Sequence, residues 1–320
     1  MKIAFKGIWS VLKSSFKGFS NDRILKLSAA LAYYTVFSVG PLLIVIVFLC
    51  SFFFGKEAVE GTIYGQIQGF VGHDAAIQLQ EIIKNAAIAG KGKIAAIIGI
   101  ITLVIGATSM FSEMQDSINM IWEIKTKPKS AIWLFIKTRL LSFGVIGSLG
   151  FLLLVTLTIS GLVEALSNRL QTHFHAVTVT VFYILDIVLN FGVIAVLFGV
   201  IFKVLPDAKI KWKDVRAGAI ATAILFMIGK FAISFYITKS SVGSTYGTAG
   251  SLVVLLVWIY YSSVILYFGA EFTKAYAIKY GGHIMPSDYA VIAKTVEVEH
   301  ENESFQQVKQ QDDKKNKTKK

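Results

Sequence analysis

Residues 27–55 read LSAALAYYTVFSVGPLLIVIVFLCSFFFG and carry no charged side chain over 29 positions. About 20 apolar residues in a helix match the hydrocarbon core of a bilayer, which is roughly 30 Å thick. This stretch is long enough to cross a membrane, so it places the chain among the integral membrane proteins.

Five more hydrophobic stretches follow it along the chain. They cover residues 94–112, 140–163, 176–202, 217–238 and 251–270. Six such stretches in one chain are not expected of a soluble protein. We therefore predict an all-α, polytopic membrane protein with six transmembrane helices, and no residue pattern indicates a cleavable signal peptide.

The loops between these stretches alternate between lysine-rich and lysine-poor. Sixteen basic residues lie in the N-terminal segment and in the loops after the second and fourth stretches, whereas six lie in the other loops. Cytoplasmic loops of membrane proteins carry the excess of Lys and Arg. The pattern predicts that both termini lie in the cytoplasm.

The two ends of the chain differ from the membrane domain, predicted over residues 27–278. Residues 1–26 have helical periodicity with the lysines on one face, which predicts an amphipathic helix in the cytoplasmic interface, in contact with anionic lipid headgroups. Residues 279–320 form a cytoplasmic tail. From about residue 294 this tail is nearly devoid of apolar residues and is expected to be disordered.

Composition argues against several functions. The formal charge of +12 is spread over segment ends rather than gathered on one element, which disfavours a nucleic-acid partner. The single cysteine, Cys50, excludes a cysteine-based zinc site. No P-loop, nucleophile elbow or zincin motif is present. We therefore expect no enzyme activity, no metal and no cofactor, while the substrate and the oligomeric state are not readable from the sequence.

Charged residues inside membrane spans are costly and are candidate sites. Asp186 and Lys230 lie at similar depths, roughly 14 and 12 Å from the outer ends of their spans at the helical rise per residue. We predict that they face each other, with Asn190 one turn deeper. The pair fits a substrate or proton site and, equally, a structural ion pair that fixes helix packing.

A second polar group is predicted at the cytoplasmic mouth. Its members lie near the inner ends of their spans and are Glu271, Tyr33, Tyr34, Glu113, Asp116 and Arg139. A carboxylate there would bind a cation or proton, or would pair structurally with Arg139. In the first span Pro41 removes a backbone donor and predicts a kink, which marks either a transport site or ordinary helix packing.

Several segments together resemble the YihY/BrkB family of bacterial inner-membrane proteins. They are Ala29–Ser38, Pro41–Leu43, Leu205–Asp207, Trp212–Val215, Gly218–Ala219, Gly229–Lys230, Tyr246–Gly247 and Gly269–Glu271. The resemblance covers nearly everything from Ala29 to about Ala277 and implies a six-helix membrane fold.

The resemblance says less about activity. Family members have been labelled ribonuclease BN and also serum-resistance or virulence factors, and some are linked to the export of envelope lipid or lipopolysaccharide. A metal-dependent nuclease needs clustered ligands that this chain lacks. The leading hypothesis is a transporter or lipid-handling protein, and the alternative is a non-transporting scaffold of the envelope. The residues that match family motifs are Tyr33, Tyr34, Pro41, Lys230 and Glu271, whereas Asp186 is not among them.

Overall fold

The computed structural model describes residues 5–38, 77, 93–127, 175–240, 250–280 and 283–293, and in these ranges the chain is mostly helical. The helices are α1 (Phe5–Asn21), α2 (Ile24–Ser38), α3 (Lys93–Ile121), α4 (His175–Val204), α5 (Trp212–Ser240) and α6 (Gly250–Lys279). The predicted third span, Pro41, Arg139 and the tail from residue 294 lie outside the described residues.

Three of the described helices are long and apolar enough to cross a membrane. The qualifying segments are Ile187–Val204 in α4, Trp212–Ile237 in α5 and Leu252–Lys279 in α6. They contain most of the fourth, fifth and sixth predicted spans. The full count of six spans stays a prediction, because the rest of the hydrophobic sequence is only partly described.

One face of α5 exposes a continuous apolar stripe. Its members recur every three or four residues and are 47–70% exposed: Ile220, Ile224, Ile228, Phe231 and Phe235. Soluble monomers rarely expose an apolar patch of this length, and a lipid-facing helix is expected to do so. The stripe agrees with the membrane location predicted from hydropathy.

Helix α5 packs against both α4 and α6. Its contact with α6 depends on two glycines, each facing a threonine of the other helix: Gly218 faces Thr273, and Gly269 faces Thr222. Each threonine hydroxyl donates to a carbonyl one turn back in its own helix, at 2.7 Å. Small residues let helix backbones approach closely where lipid gives little hydrophobic driving force.

Helix α1 packs along the C-terminal part of α6. The rings of Phe16 and Phe268 lie 5.0 Å apart. A Cβ on Gly18 would lie 2.6 Å from the carboxyl carbon of Glu271, so a larger residue at this crossing would displace the Glu271 carboxyl group. Helix α1 lies within the predicted N-terminal segment and packs against the bundle, while its predicted place in the membrane interface stays a prediction.

Four short strands, which were not predicted, accompany the helices. They are β1 (Ile124–Thr126), β2 (Ala208–Lys209), β3 (Met285–Pro286) and β4 (Ala290–Ile292). β1 pairs antiparallel with β4, and β2 with β3. Strands of two or three residues are too short to show an alternating pattern, and their partners are far away in sequence, so local periodicity does not reveal them.

These strands lie at one end of the bundle, which we call the capped end. It holds α1, the α1–α2 turn, the C-terminus of α3, the α4–α5 connection and residues 283–293. The described parts of the lysine-rich segments, which the sequence predicts to be cytoplasmic, all belong to this end. The main hydrophobic core begins just beneath it, around Ile118, Phe202 and Tyr267.

Candidate functional site

An open cavity of about 1100 Å³ lies at the capped end, between the α1–α2 turn and the end of α3. Among the described residues, three acidic and three basic side chains line it: Asp22, Asp116, Glu123, Arg23, Lys26 and Lys125. The volume is slightly above the usual range for ligand sites. The described lining has balanced charge, which suits a polar or zwitterionic group better than a simple anion.

Two residues on this wall have left-handed backbone conformations. Arg23, in the α1–α2 turn, has φ 51°, and Glu123, directly after α3, has φ 59°. Glycine usually takes this position after a helix, and another residue there costs about 1–2 kcal/mol. Strained backbone of this kind is concentrated at functional sites, so the cavity is the first candidate.

A buried carboxylate, Asp207, organises the same end of the molecule. Its side chain is 3% exposed and accepts four hydrogen bonds from neutral donors. Oδ1 accepts from Gln115 (3.1 Å) and from the Tyr289 hydroxyl (2.7 Å). Oδ2 accepts from Asn119 (3.1 Å) and Thr126 (2.9 Å).

The backbone of Asp207 takes part as well. Its N–H donates to the side-chain oxygen of Asn119 at 2.8 Å, and its carbonyl accepts from the N–H of Ser287 at 2.9 Å. Asp207 therefore joins α3, β1, the α4–α5 connection and the C-terminal strands. A buried carboxylate with this many donors is a fixed structural centre rather than a mobile charge.

Two groups around this centre have shifted pKa values. Burial and the hydrogen bond to Asp207 raise the pKa of Tyr289 to about 12. Partial desolvation, followed by the charges of Glu113 and Asp207, raises the pKa of Asp116 above its usual range. Because Asp116 lines the cavity, the acidic side of that cavity favours binding of a proton or cation.

Glu271 is a further buried carboxyl of the capped end. It is 3% exposed, and its Oε1 has no hydrogen-bond partner among the described residues. The side chain of Asp22 lies within hydrogen-bond reach of it. Lys274, one turn further along α6, is held by the carbonyl of Ile121 (2.7 Å) and by Glu123 (3.0 Å). Glu271 also lines a smaller cavity of about 300 Å³ beneath α1.

The structure describes all the residues predicted for the inner mouth except Arg139. Tyr33 and Tyr34 are exposed on α2 and contact each other edge to face, with ring centres 5.7 Å apart. Glu113 accepts a hydrogen bond from Ser117 one turn further along α3. Glu271 has Asp22 and Lys274 as charged neighbours. The proposed contact with Arg139 lies outside the described residues.

The predicted pair in the outer half is only partly described. Lys230 and Asn190 are half-buried on α5 and α4, which pack against each other. The side chain of Asp186 and all of Pro41 lie outside the described residues, so the Asp186–Lys230 pair stays a prediction. Among the described residues, no group of three His, Cys, Asp or Glu side chains is placed to hold a metal ion.

Sequence reasoning missed Asp207 and Asp22. Both follow the end of a helix, where a charged residue is most often solvated. Asp207 stands in the Leu205–Asp207 segment that carries part of the family resemblance, and this was the one available signal. Its donors Gln115 and Asn119 lie 92 and 88 residues away, so only the fold brings them together.

Comparison with known proteins agrees with the membrane fold. The sequence profile of the family described as virulence factor BrkB matches residues 15–287. A UPF0761 membrane protein of Pseudoalteromonas atlantica is 26% identical over 253 residues, which is 79% of this chain and 81% of that protein. Another, from Vibrio campbellii, is 28% identical over 264 residues, 81% of this chain and 79% of that protein. No solved structure matches the chain.

Proposed function

This chain belongs to the virulence factor BrkB family of membrane proteins, and we propose that it is a transporter or lipid-handling protein of the bacterial envelope. In this proposal the cavity at the capped end receives a polar solute or the headgroup of a lipid. The proposal assigns the protein no enzyme activity. It places the protein in the inner membrane.

The observation that carries the proposal is the position of the two strained residues. Arg23 and Glu123 lie on different elements, yet both line the same cavity. Each would be less strained as glycine, which offers no side chain to the cavity. The strain is therefore explained if the charged side chains are needed there.

The orientation of the protein follows the positive-inside rule. The described parts of the lysine-rich segments lie at the capped end, which supports a cytoplasmic position for this end and for both termini. Helix α1 exposes Trp9 (66%) together with lysines such as Lys6 and Lys13. This combination suits contact with anionic lipid headgroups at the cytoplasmic surface.

A scaffold without transport is the second candidate. The four-donor centre at Asp207 favours it, because such a centre makes the capped end rigid. A rigid end is compatible with transport only if movement occurs elsewhere in the bundle. The two functions therefore differ in whether substitutions in the cavity change a flux.

Reconstitution in liposomes tests the proposal. We expect Arg23→Gln and Glu123→Gln to lower the movement of fluorescent lipid or polar solute across the bilayer by tenfold or more. The control is Asp288→Asn, whose side chain is 88% exposed and pairs with Lys209 at the same end of the molecule. Equal flux through liposomes with and without the wild-type protein would favour the scaffold.

A further inference from the structure

We propose that Asp22 and Glu271 form a proton-binding site that holds the N-terminal helix α1 on the membrane helix α6. The site is independent of the Asp186–Lys230 pair, and it does not depend on what the protein transports. Its parts are two carboxyl groups in contact, a buried carboxyl oxygen of Glu271 with no hydrogen-bond partner among the described residues, and a cavity that Glu271 lines.

The contact between the two carboxyl groups is enforced by the packing of α1. Glu271 is 3% exposed on α6, and Asp22 occupies the turn that directly follows α1. The N–H of Asp22 donates to the carbonyl of Gly18 at 2.8 Å, which fixes the turn. Gly18 itself lies against the Glu271 carboxyl group, where any Cβ would be 2.7 Å from Oε1.

Two carboxyl groups within hydrogen-bond reach hold one proton between them. A hydrogen bond needs a donor, and a carboxylate has none, so one of the two must be the acid. If both ionise, two like charges face each other away from water, which is strongly unfavourable. The occupied state is thus one carboxylic acid and one carboxylate, and loss of the proton to water leaves two carboxylates.

The surrounding charges do not remove this need for a proton. Lys274 on α6 is already bound to Glu123 and to a backbone carbonyl at the end of α3. Glu123 adds a further negative charge near Glu271. Lys17 of α1 lines the small cavity, and Arg23 lines the large one.

The pair also lies between the two cavities. Glu271 lines the one of about 300 Å³ beneath α1, and Asp22 lines the one of about 1100 Å³. A proton can therefore reach the pair without crossing the hydrophobic core. Deprotonation is expected to move the α1–α2 turn away from α6, because Asp22 is the more accessible of the two carboxyl groups.

Infrared spectroscopy of the full-length protein in nanodiscs tests for the proton directly. We expect a carbonyl band of a protonated carboxyl group near neutral pH, well above the pKa of roughly 4.3 of an exposed Glu. Glu271→Gln should remove this band, and the control Asp288→Asn should keep it. Asp22→Asn serves as a second variant, in which the band is lost or shifted. A spectrum in which neither site variant changes the carbonyl region overturns the proposal.

Thiol labelling tests the consequence for α1. Ser15 lies on α1 and is fully buried, whereas Ser20 on the same helix is exposed. Ser15→Cys and Ser20→Cys are made separately in a protein that also carries Cys50→Ala, and the labelling rate of each new cysteine is measured. Every thiol reacts faster at higher pH, so the rate at residue 15 is divided by the rate at residue 20 to remove this general effect. We expect this ratio to rise with pH by up to about tenfold per unit, the limit for one linked proton.

Adding Glu271→Gln should keep the ratio low at every pH, because its neutral amide still donates a hydrogen bond to Asp22. An unchanged pH dependence in this variant would contradict the proposal. So would a dependence on sodium concentration at constant pH, which would make the pair a metal-cation site. Neither outcome depends on a flux measurement, so failure of this proposal would not count against the proposed transport function, which the liposome assay tests separately.

Discussion

Asp207→Asn tests the structural role of the capped end most directly, because it changes the charge and one atom of a buried side chain. Asn119 cannot reverse its amide, since its oxygen accepts from the Asp207 backbone while its nitrogen donates to Oδ2. The new NH₂ group therefore replaces Oδ1, which faces Gln115 and Tyr289. The Tyr289 hydroxyl can rotate to accept a hydrogen bond, and the Gln115 amide must flip.

The flipped Gln115 amide determines the size of the effect. Its buried NH₂ group loses its acceptor, which costs about 1–3 kcal/mol. The other hydrogen bonds lose the contribution of the negative charge, but the neutral side chain is also less costly to bury, and the two terms roughly offset each other. We expect about 2 kcal/mol of destabilisation, and about 4 kcal/mol or more for Asp207→Ala, which leaves every donor without its acceptor.

Thermal unfolding in detergent, followed by tryptophan fluorescence, measures this effect. At about 2.1 cal/mol/K per residue, a loss of about 2 kcal/mol in a chain of 320 residues corresponds to a drop in Tm of roughly 3 °C. The control Asp288→Asn removes an exposed ion pair and should change stability by about 0.5 kcal/mol or less. If Asp207→Asn and the control have the same Tm, Asp207 does not hold the capped end together and the reasoning is wrong.

Three further predictions concern packing, alkaline pH and orientation. Gly269→Ala should destabilise by about 1–3 kcal/mol because its Cβ meets a threonine of α5 at 2.9 Å or less, whereas Gly192→Ala, with nothing within 4 Å, should be neutral or stabilising in the same Tm assay. Tyr289→Phe should lower the free energy of unfolding by about 1.5–3 kcal/mol at neutral pH. This difference from wild type should shrink as the pH rises from about 10 through about 12, because a raised pKa contributes stability only while the phenol is protonated; equal losses at all pH values would contradict it. A reporter active only outside the cytoplasm should work when fused after Asn168 and fail after Lys211, and the reverse pattern would overturn the topology.

Hydrophobicity and charge placement were sufficient to predict the class of the protein. The apolar stretches at residues 176–202, 217–238 and 251–270 correspond to α4, α5 and α6, although each helix extends further at the capped end or on both sides. The family was identified from short segments, and the profile match over residues 15–287 confirms it. The N-terminal helix was also predicted, because helical periodicity is visible within a few turns.

The candidate site residues chosen from the sequence stay a prediction. Glu271 was selected for its depth in the last span; the structure buries it and places Asp22 beside it, a neighbour that depth did not indicate. Depth along a helix axis says nothing about the direction in which a side chain points. Asp207 was not selected at all, because nothing in its local sequence distinguishes a buried loop carboxylate from a solvated one.

The membrane class was predictable and the buried polar contacts were not, because the two depend on interactions of different range along the chain. Crossing a bilayer depends on the summed apolar surface of neighbouring residues, and orientation depends on charges next to the spans, so both are properties of continuous sequence. The Asp207 centre, the pairing of Ile124 with Ile292 and the contact of Asp22 with Glu271 join residues that are far apart in the chain. These interactions form only once α1, α3, α6 and the segments of the capped end have packed, so the folded arrangement alone determines which polar groups of this membrane protein are buried together.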